Sequence, residues 1–149
     1  MQIKTILVAT DFSDDANAAI DAAVEMARAF DAKLELFHAY YVEVPAVYAG
    51  FGGDFRMPGD IIDPIREGAQ SSMAELIKRV AASGVNVDGR VAMERPAKAI
   101  LEEAERLLAD LIVMGTRGLS GFEHFVLGST ADRVIRMAQC PVLTVRSKD

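Results

Sequence analysis

The residues best suited to chemistry lie in one glycine-rich stretch. Gly115, Thr116, Arg117 and Gly118 come first, and after nine intervening residues follow Gly128 and Ser129. Glycine lets a backbone come close to a ligand and turn its N–H groups outward. A helix opening near Ser129 adds unpaired N–H donors and the positive end of its dipole. Together these parts suit an anion, and phosphate above all. Glycines also bracket ordinary loops, so spacing alone leaves a purely architectural role open. The ionisable side chains that could work beside them are Asp11, Arg117 and His124.

Each of these residues also has a plainer reading. Asp11 can bond its own backbone in a turn ahead of a helix. Arg117 can be an exposed loop arginine, and His124 a loop side chain. Ser129, with Asp132 three residues on, spells a capping box that would occupy the hydroxyl but leave backbone N–H groups for phosphate. His38 reads as a packed histidine. Cys140, ahead of Pro141, reads as a buried small side chain, since no base is identifiable beside it. Other nucleotide and hydrolase motifs do not occur. The chain has no GxxxxGK[ST] loop, no GxGxxG after the first strand and no GxSxG elbow.

The elements that must position these residues alternate regularly. Residues 3–9 read as a strand, with Ile6, Leu7 and Val8 in an unbroken apolar run, as in strands buried on both faces. Ser13 can cap a helix, with Asp14 and Asp15 in its first turn. Ala16, Ala19, Ile20, Ala23, Val24 and Ala27 then form one apolar helical stripe. Residues 33–39 form a second strand. Residues 40–60, with four glycines and two prolines, read as a long irregular loop. Its Val42, Val44, Val47, Tyr48 and Phe51 can cover a ligand, face a partner or pack on the following helix. Residues 62–83 read as that helix, closed by Gly84. Residues 87–93 are a third strand, and Pro96 suits a helix start. Residues 111–114 form a short buried strand, 129–138 a short helix and 142–145 a last strand.

This β-α-β-α-β-α-β-α-β order implies a parallel sheet covered on both faces. In doubly wound sheets, ligands bind beyond the C-terminal strand ends where the strand order reverses. With the order 3-2-1-4-5, strands one and four are neighbours there, and Asp11 and Gly115 face one crevice.

Composition bounds the rest. The chain has 149 residues, 51% of them hydrophobic and 26% charged, which fits one globular domain over 1–149. The net charge of −6 and pI near 4.9 count against nucleic-acid binding. They also mean that an anionic ligand must be held by local donors against the overall field. One cysteine and two histidines give neither an internal disulfide nor a zinc spacing. Neither a signal peptide nor a spanning helix is legible, so a soluble, cytoplasmic protein without membrane contact is the expectation.

The sequence resembles the universal stress proteins of the nucleotide-binding kind over nearly its whole length. The resemblance rests on Ile6-Leu7-Val8-Ala9-Thr10-Asp11-Phe12-Ser13, on Asp110-Leu111-Ile112-Val113-Met114-Gly115-Thr116-Arg117-Gly118, on Gly128-Ser129, and on Cys140-Pro141-Val142-Leu143-Thr144-Val145. ATP-binding members carry a G-2x-G-9x-G-[S/T] pattern, which Gly115, Gly118, Gly128 and Ser129 match. The resemblance implies ATP, with or without magnesium, as ligand. Ala9, Thr10 and Asp11 would hold its nucleoside side, and the Ala39 backbone would meet the adenine. Met114, Gly115, Arg117 and Gly118 would line the ribose and phosphate path, and Gly128, Ser129 and Thr130 would bind phosphates. It also implies a homodimer through the last strand, Val142–Val145. Glu94 departs from the pattern, since many members have glycine ahead of Pro96.

Three functions compete at this point. The first is a nucleotide-dependent regulatory or stress-response factor, which is the favoured expectation. The second is a slow ATPase or a phosphoryl or nucleotidyl transferase. That would need a metal clamp, a positioned nucleophile and charge stabilisers, and Asp11, Arg117 and His124 form no recognised constellation. The third is an interaction module that binds no nucleotide, against which the intact glycine set speaks.

Overall fold

The computed structural model describes residues 1–51, 57–117 and 127–148. Five strands form one parallel sheet: β1 (Thr5–Ala9), β2 (Lys33–Tyr40), β3 (Val87–Met93), β4 (Leu111–Gly115) and β5 (Val142–Val145). Their spatial order is β3-β2-β1-β4-β5, the expected doubly wound arrangement. The connecting helices are α1 (Asp14–Phe30), α2 (Gly59–Ala81), α3 (Pro96–Leu107) and α4 (Ser129–Met137).

The unbroken apolar run of β1 has a direct cause. Successive side chains leave a strand on opposite faces. Ile6 and Val8 enter the core shared with α1 and α2, beside Ala19, Ile20, Leu76 and Val113. Leu7 and Ala9 enter the opposite core, beside Phe37, Ile100, Ile112 and Val134 from the side of α3 and α4. Both faces are covered, so neither can be polar. The α1 stripe behaves as its period requires: Ala16, Ala19, Ile20, Ala23 and Ala27 are all buried.

The chain turns from β1 into α1 through a relay of short side chains. Thr10 Oγ1 accepts from Phe12 N at 3.0 Å, and Asp11 Oδ1 from Ser13 N at 3.0 Å. Ser13 Oγ then accepts from Ala16 N at 3.3 Å as the helix cap. Phe12 sits in the left-handed region at φ 63°, which is uncommon for a bulky residue, and its ring lies 4.6 Å from that of His38. Because the cap bond is long, Ser13→Ala should cost only about 0.5–1 kcal/mol, read as a lower urea midpoint at unchanged m-value.

Several boundaries differ from expectation. β1 begins at Thr5 rather than residue 3, because the Lys4 and Thr5 N–H groups are held by the Asp110 carboxylate at 2.8 and 2.9 Å. The segment read as an irregular loop over 40–60 contains the last residue of β2, a short 3-10 helix at Ala46–Phe51 and the first two residues of α2. That helix starts at Gly59, where the Pro58 carbonyl accepts from Ile61 N and Ile62 N. Val44 and Val47 are exposed. Gly84, at φ 85°, follows the end of α2 as expected. No described helix is long and apolar enough to cross a membrane.

On the edge beside β3, the buried Glu103 of α3 is bound by Arg106 through two bonds, at 3.0 and 2.7 Å, and by Arg90 at 3.1 Å. Burial pushes its carboxyl up, but the two arginines more than offset this and hold it below its ordinary value.

Candidate functional site

A crevice opens at the C-terminal ends of β1, β2 and β4, where the strand order reverses. It encloses a cavity of about 200 Å³. Its floor follows from the register: Ala9 pairs with Phe37 on one side and with Met114 on the other. Pro96 and Ile100 of α3 close the side over β2, next to Ala39. That end is apolar. The opposite end, over β4, is polar: Thr116 and Arg117 leave the strand there, and Gly128, Ser129 and Thr130 open α4. An apolar end beside a polar end suits an amphipathic ligand such as a nucleotide.

The start of α4 corrects one expectation. Gly128, not Ser129, is the N-cap, and no side chain caps the helix. Ser129 is already helical, and Asp132 pairs with Arg136 at 3.1 Å, so the expected capping box does not form. The first intrahelical bond runs from Asp132 N to Gly128 O. The N–H groups of Ser129, Thr130 and Ala131 therefore have no partner within the helix, and all three residues line the crevice. Gly128 is tied back to the loop start by its own N–H, which donates to Thr116 O at 2.7 Å.

Beneath the polar end lies a group the sequence did not single out. Asp15 reads as an ordinary first-turn acid, yet it is buried. Its carboxylate accepts from Thr116 Oγ1 at 3.0 Å and from Arg117 N at 3.2 Å. Arg117 Nε and Nη2 reach it at 3.0 and 3.1 Å. Ser147, beyond β5, donates through N at 3.0 Å and Oγ at 2.5 Å. The Arg117 guanidinium, joined by the Ser147 and Thr116 bonds, holds the Asp15 carboxyl well below the usual carboxylate range, against the opposing push of burial. Arg117 is thus neither an exposed loop arginine nor a free cation, with its side chain only 19% exposed.

Gly115 is glycine for a related reason. A Cβ there would lie 2.9 Å from both the carbonyl carbon and Cβ of Asp15. The close approach it permits is by α1, whereas spacing alone suggested approach by a ligand. The other expected residues fall as follows. Thr10 and Asp11 line the crevice, and Asp11 also makes the expected turn bond. His38 is packed between Phe12 and Tyr40. Its Nδ1 lies 2.7 Å from Thr10 O, and since a carbonyl only accepts, Nδ1 carries the proton. Burial pushes the Cys140 thiol up, away from the activated range of a nucleophile. Gly118 and His124 lie outside the described residues. Among the described residues, no group of three His, Cys, Asp or Glu side chains is placed to hold a metal ion.

Comparison with known proteins agrees with this frame. The Universal stress protein family profile matches residues 2–146. A universal stress protein of Methanocaldococcus jannaschii is 38% identical over 144 residues, covering 96% of this chain and 82% of that one. One from Bacillus subtilis is 34% identical over 145 residues, covering 95% and 97%. Among solved structures, a universal stress protein in complex with cAMP superposes with a TM-score of 0.73 at 28% identity, covering 99% of this chain and 100% of that one. One from Archaeoglobus fulgidus in complex with dAMP gives 0.68 at 25% identity, covering 97% and 99%. With the profile spanning nearly every residue and the reversed strand order in place, this chain belongs to the universal stress protein family.

Proposed function

We propose that this protein binds an adenine nucleotide in the crevice and acts as a nucleotide-dependent regulatory factor. The observation that carries the reading is the crevice itself, apolar beneath α3 and rich in N–H donors left over by the first turn of α4. The adenine ring would lie over Ala9, Phe37 and Ala39, with Asp11 toward the ribose. Phosphate would meet the N–H groups of Ser129, Thr130 and Ala131. Met114, Gly115, Arg117, Gly118 and Gly128 complete the assigned set. Two related structures hold cAMP and dAMP, which supports an adenine ligand here. The glycine pattern names ATP within that class, with magnesium carried by the nucleotide if it is used.

Binding is favoured over turnover by how the charged groups are occupied. Asp11 Oδ1 accepts from Ser13 N, and Arg117 is bound to Asp15, so neither is poised on a reacting phosphate. We further propose a homodimer through Val142–Val145, because β5 is an edge strand whose Leu143 side chain is exposed.

Calorimetric titration of nucleotide-stripped protein tests the reading. Wild-type protein should bind adenine nucleotides at micromolar concentration. Ala39→Phe, which fills the apolar end, should weaken that binding by about a hundredfold, the loss of roughly 3 kcal/mol of contact. No binding up to millimolar nucleotide would leave the crevice as architecture, and the interaction-module reading would then lead.

A further inference from the structure

The two edges of the sheet are built differently. β3 and β5 are both edge strands, and an edge strand turns one row of backbone N–H and C=O groups away from the sheet. In β3 the direction is fixed where Leu34 N donates to Asn86 O. Bonding direction alternates along a strand, so Asp88, Arg90 and Ala92 also turn their backbone groups toward β2. Val87, Gly89, Val91 and Met93 turn theirs outward. The outward Gly89 N–H is already occupied, because it donates to Asp88 Oδ1 at 2.8 Å. A strand arriving at this edge would bring a carbonyl to that N–H and meet a carboxylate instead. At the other edge, Ile112 N donates to Pro141 O and Thr116 N to Val145 O, which leaves Val142 and Thr144 turned outward. No charged residue lies within Val142–Val145.

Gly89 explains why the closing group sits on its neighbour. A Cβ at 89 would lie 2.8 Å from Met73 Sδ, and 3.1 Å from both Ile77 Cδ1 and Leu36 O. The packing of α2 on β3 therefore leaves no room for a charged side chain at 89 itself. Asp88 leaves the strand on the opposite face, away from α2, and is exposed, so its carboxylate has room to fold over the edge. Glycine also offers an arriving strand no side chain to pack against.

We infer that Asp88 closes the β3 edge against strand addition by a second copy of this chain, so that this edge takes no part in self-association. A second copy is the relevant partner because it carries the same edge, and a contact between two such edges is self-complementary. The closure is a property of β3 and holds whether wild-type protein is a monomer or pairs through β5.

Light scattering on gel-filtered protein over a concentration series tests this, with wild type, Asp88→Ala and Asp88→Asn compared at equal concentration. Both substitutions remove the same charge, but only asparagine keeps a side-chain oxygen that can accept from Gly89 N. Asp88→Ala should gain mass with concentration and pass about twice the wild-type value, since each opened edge admits a further copy. Asp88→Asn should stay at the wild-type mass. In the assembled Ala variant, the Val87, Gly89 and Val91 amides should exchange more slowly with solvent than in wild type. A wild-type mass for Asp88→Ala at every concentration overturns the inference. Equal gains by both variants overturn it too, because charge rather than the occupied N–H would then be the barrier. Assembly that leaves the three β3 amides unprotected places the contact elsewhere and also overturns it.

Discussion

Asp15→Ala should be among the most damaging single substitutions in this chain, costing about 2–4 kcal/mol of stability. Three segments converge on this carboxylate: the first turn of α1, Thr116 and Arg117 after β4, and Ser147 after β5. Alanine would leave the Arg117 guanidinium and the Ser147 N–H without their buried acceptor. Breaking a fully buried pair costs roughly 3–5 kcal/mol. Arg117 keeps 19% exposure and so recovers some hydration, which sets the lower range. Acid should erase the difference between wild type and variant. The folded-state carboxyl lies well below the unfolded value of about 3.9, so its contribution is complete above roughly pH 4. It is lost as the pH falls further, through the folded value. Urea unfolding of both proteins at neutral pH and in acid measures this directly. An unchanged midpoint in Asp15→Ala at neutral pH would mean the cluster adds nothing net.

The second large effect is expected at Gly115. An alanine Cβ would sit 2.9 Å from the Asp15 carbonyl carbon and Cβ, and 3.1 Å from Ala16 N. Most of these are backbone atoms of α1, which cannot swing aside as a long side chain would. Overpacking of this kind costs about 1–3 kcal/mol, and here it must also spread β4 from the helix that carries Asp15. Gly68 supplies the control. It lies within α2, and a Cβ added there would meet nothing within 4 Å, so Gly68→Ala should stabilise by about 0.5–1 kcal/mol. Opposite signs for the two Gly→Ala substitutions are the expected result. A neutral Gly115→Ala would show that α1 moves freely over β4.

The parts of this fold that the sequence makes legible are those set by local period. The double-faced burial of Ile6, Leu7 and Val8 shows as an unbroken run, and the α1 stripe as helical spacing. The site's outline is legible too, because Asp11 lies just past β1 and Gly115 ends its neighbour β4. What local pattern does not carry is partnership at long range. Asp15 looks like any acid placed to favour a helix dipole, and its real partners lie 101 to 132 residues away. Gly115 looks like a ligand-facing glycine because sequence shows that a side chain is missing, not what occupies its space. Ser129 with Asp132 spells a capping box, but the helix begins one residue earlier than that motif requires, with the cap falling on Gly128.

The most direct measurement is an amide NMR titration of nucleotide-free protein with AMP, run beside one with adenosine. Both ligands should shift the amides of Ala9 and Ala39, over which the base would lie. Only AMP should produce large shifts at Ser129, Thr130 and Ala131, whose N–H groups would receive the phosphate. Identical shifts from the two ligands at these three amides would contradict phosphate binding at α4, and no shifts with either would contradict nucleotide binding in the crevice.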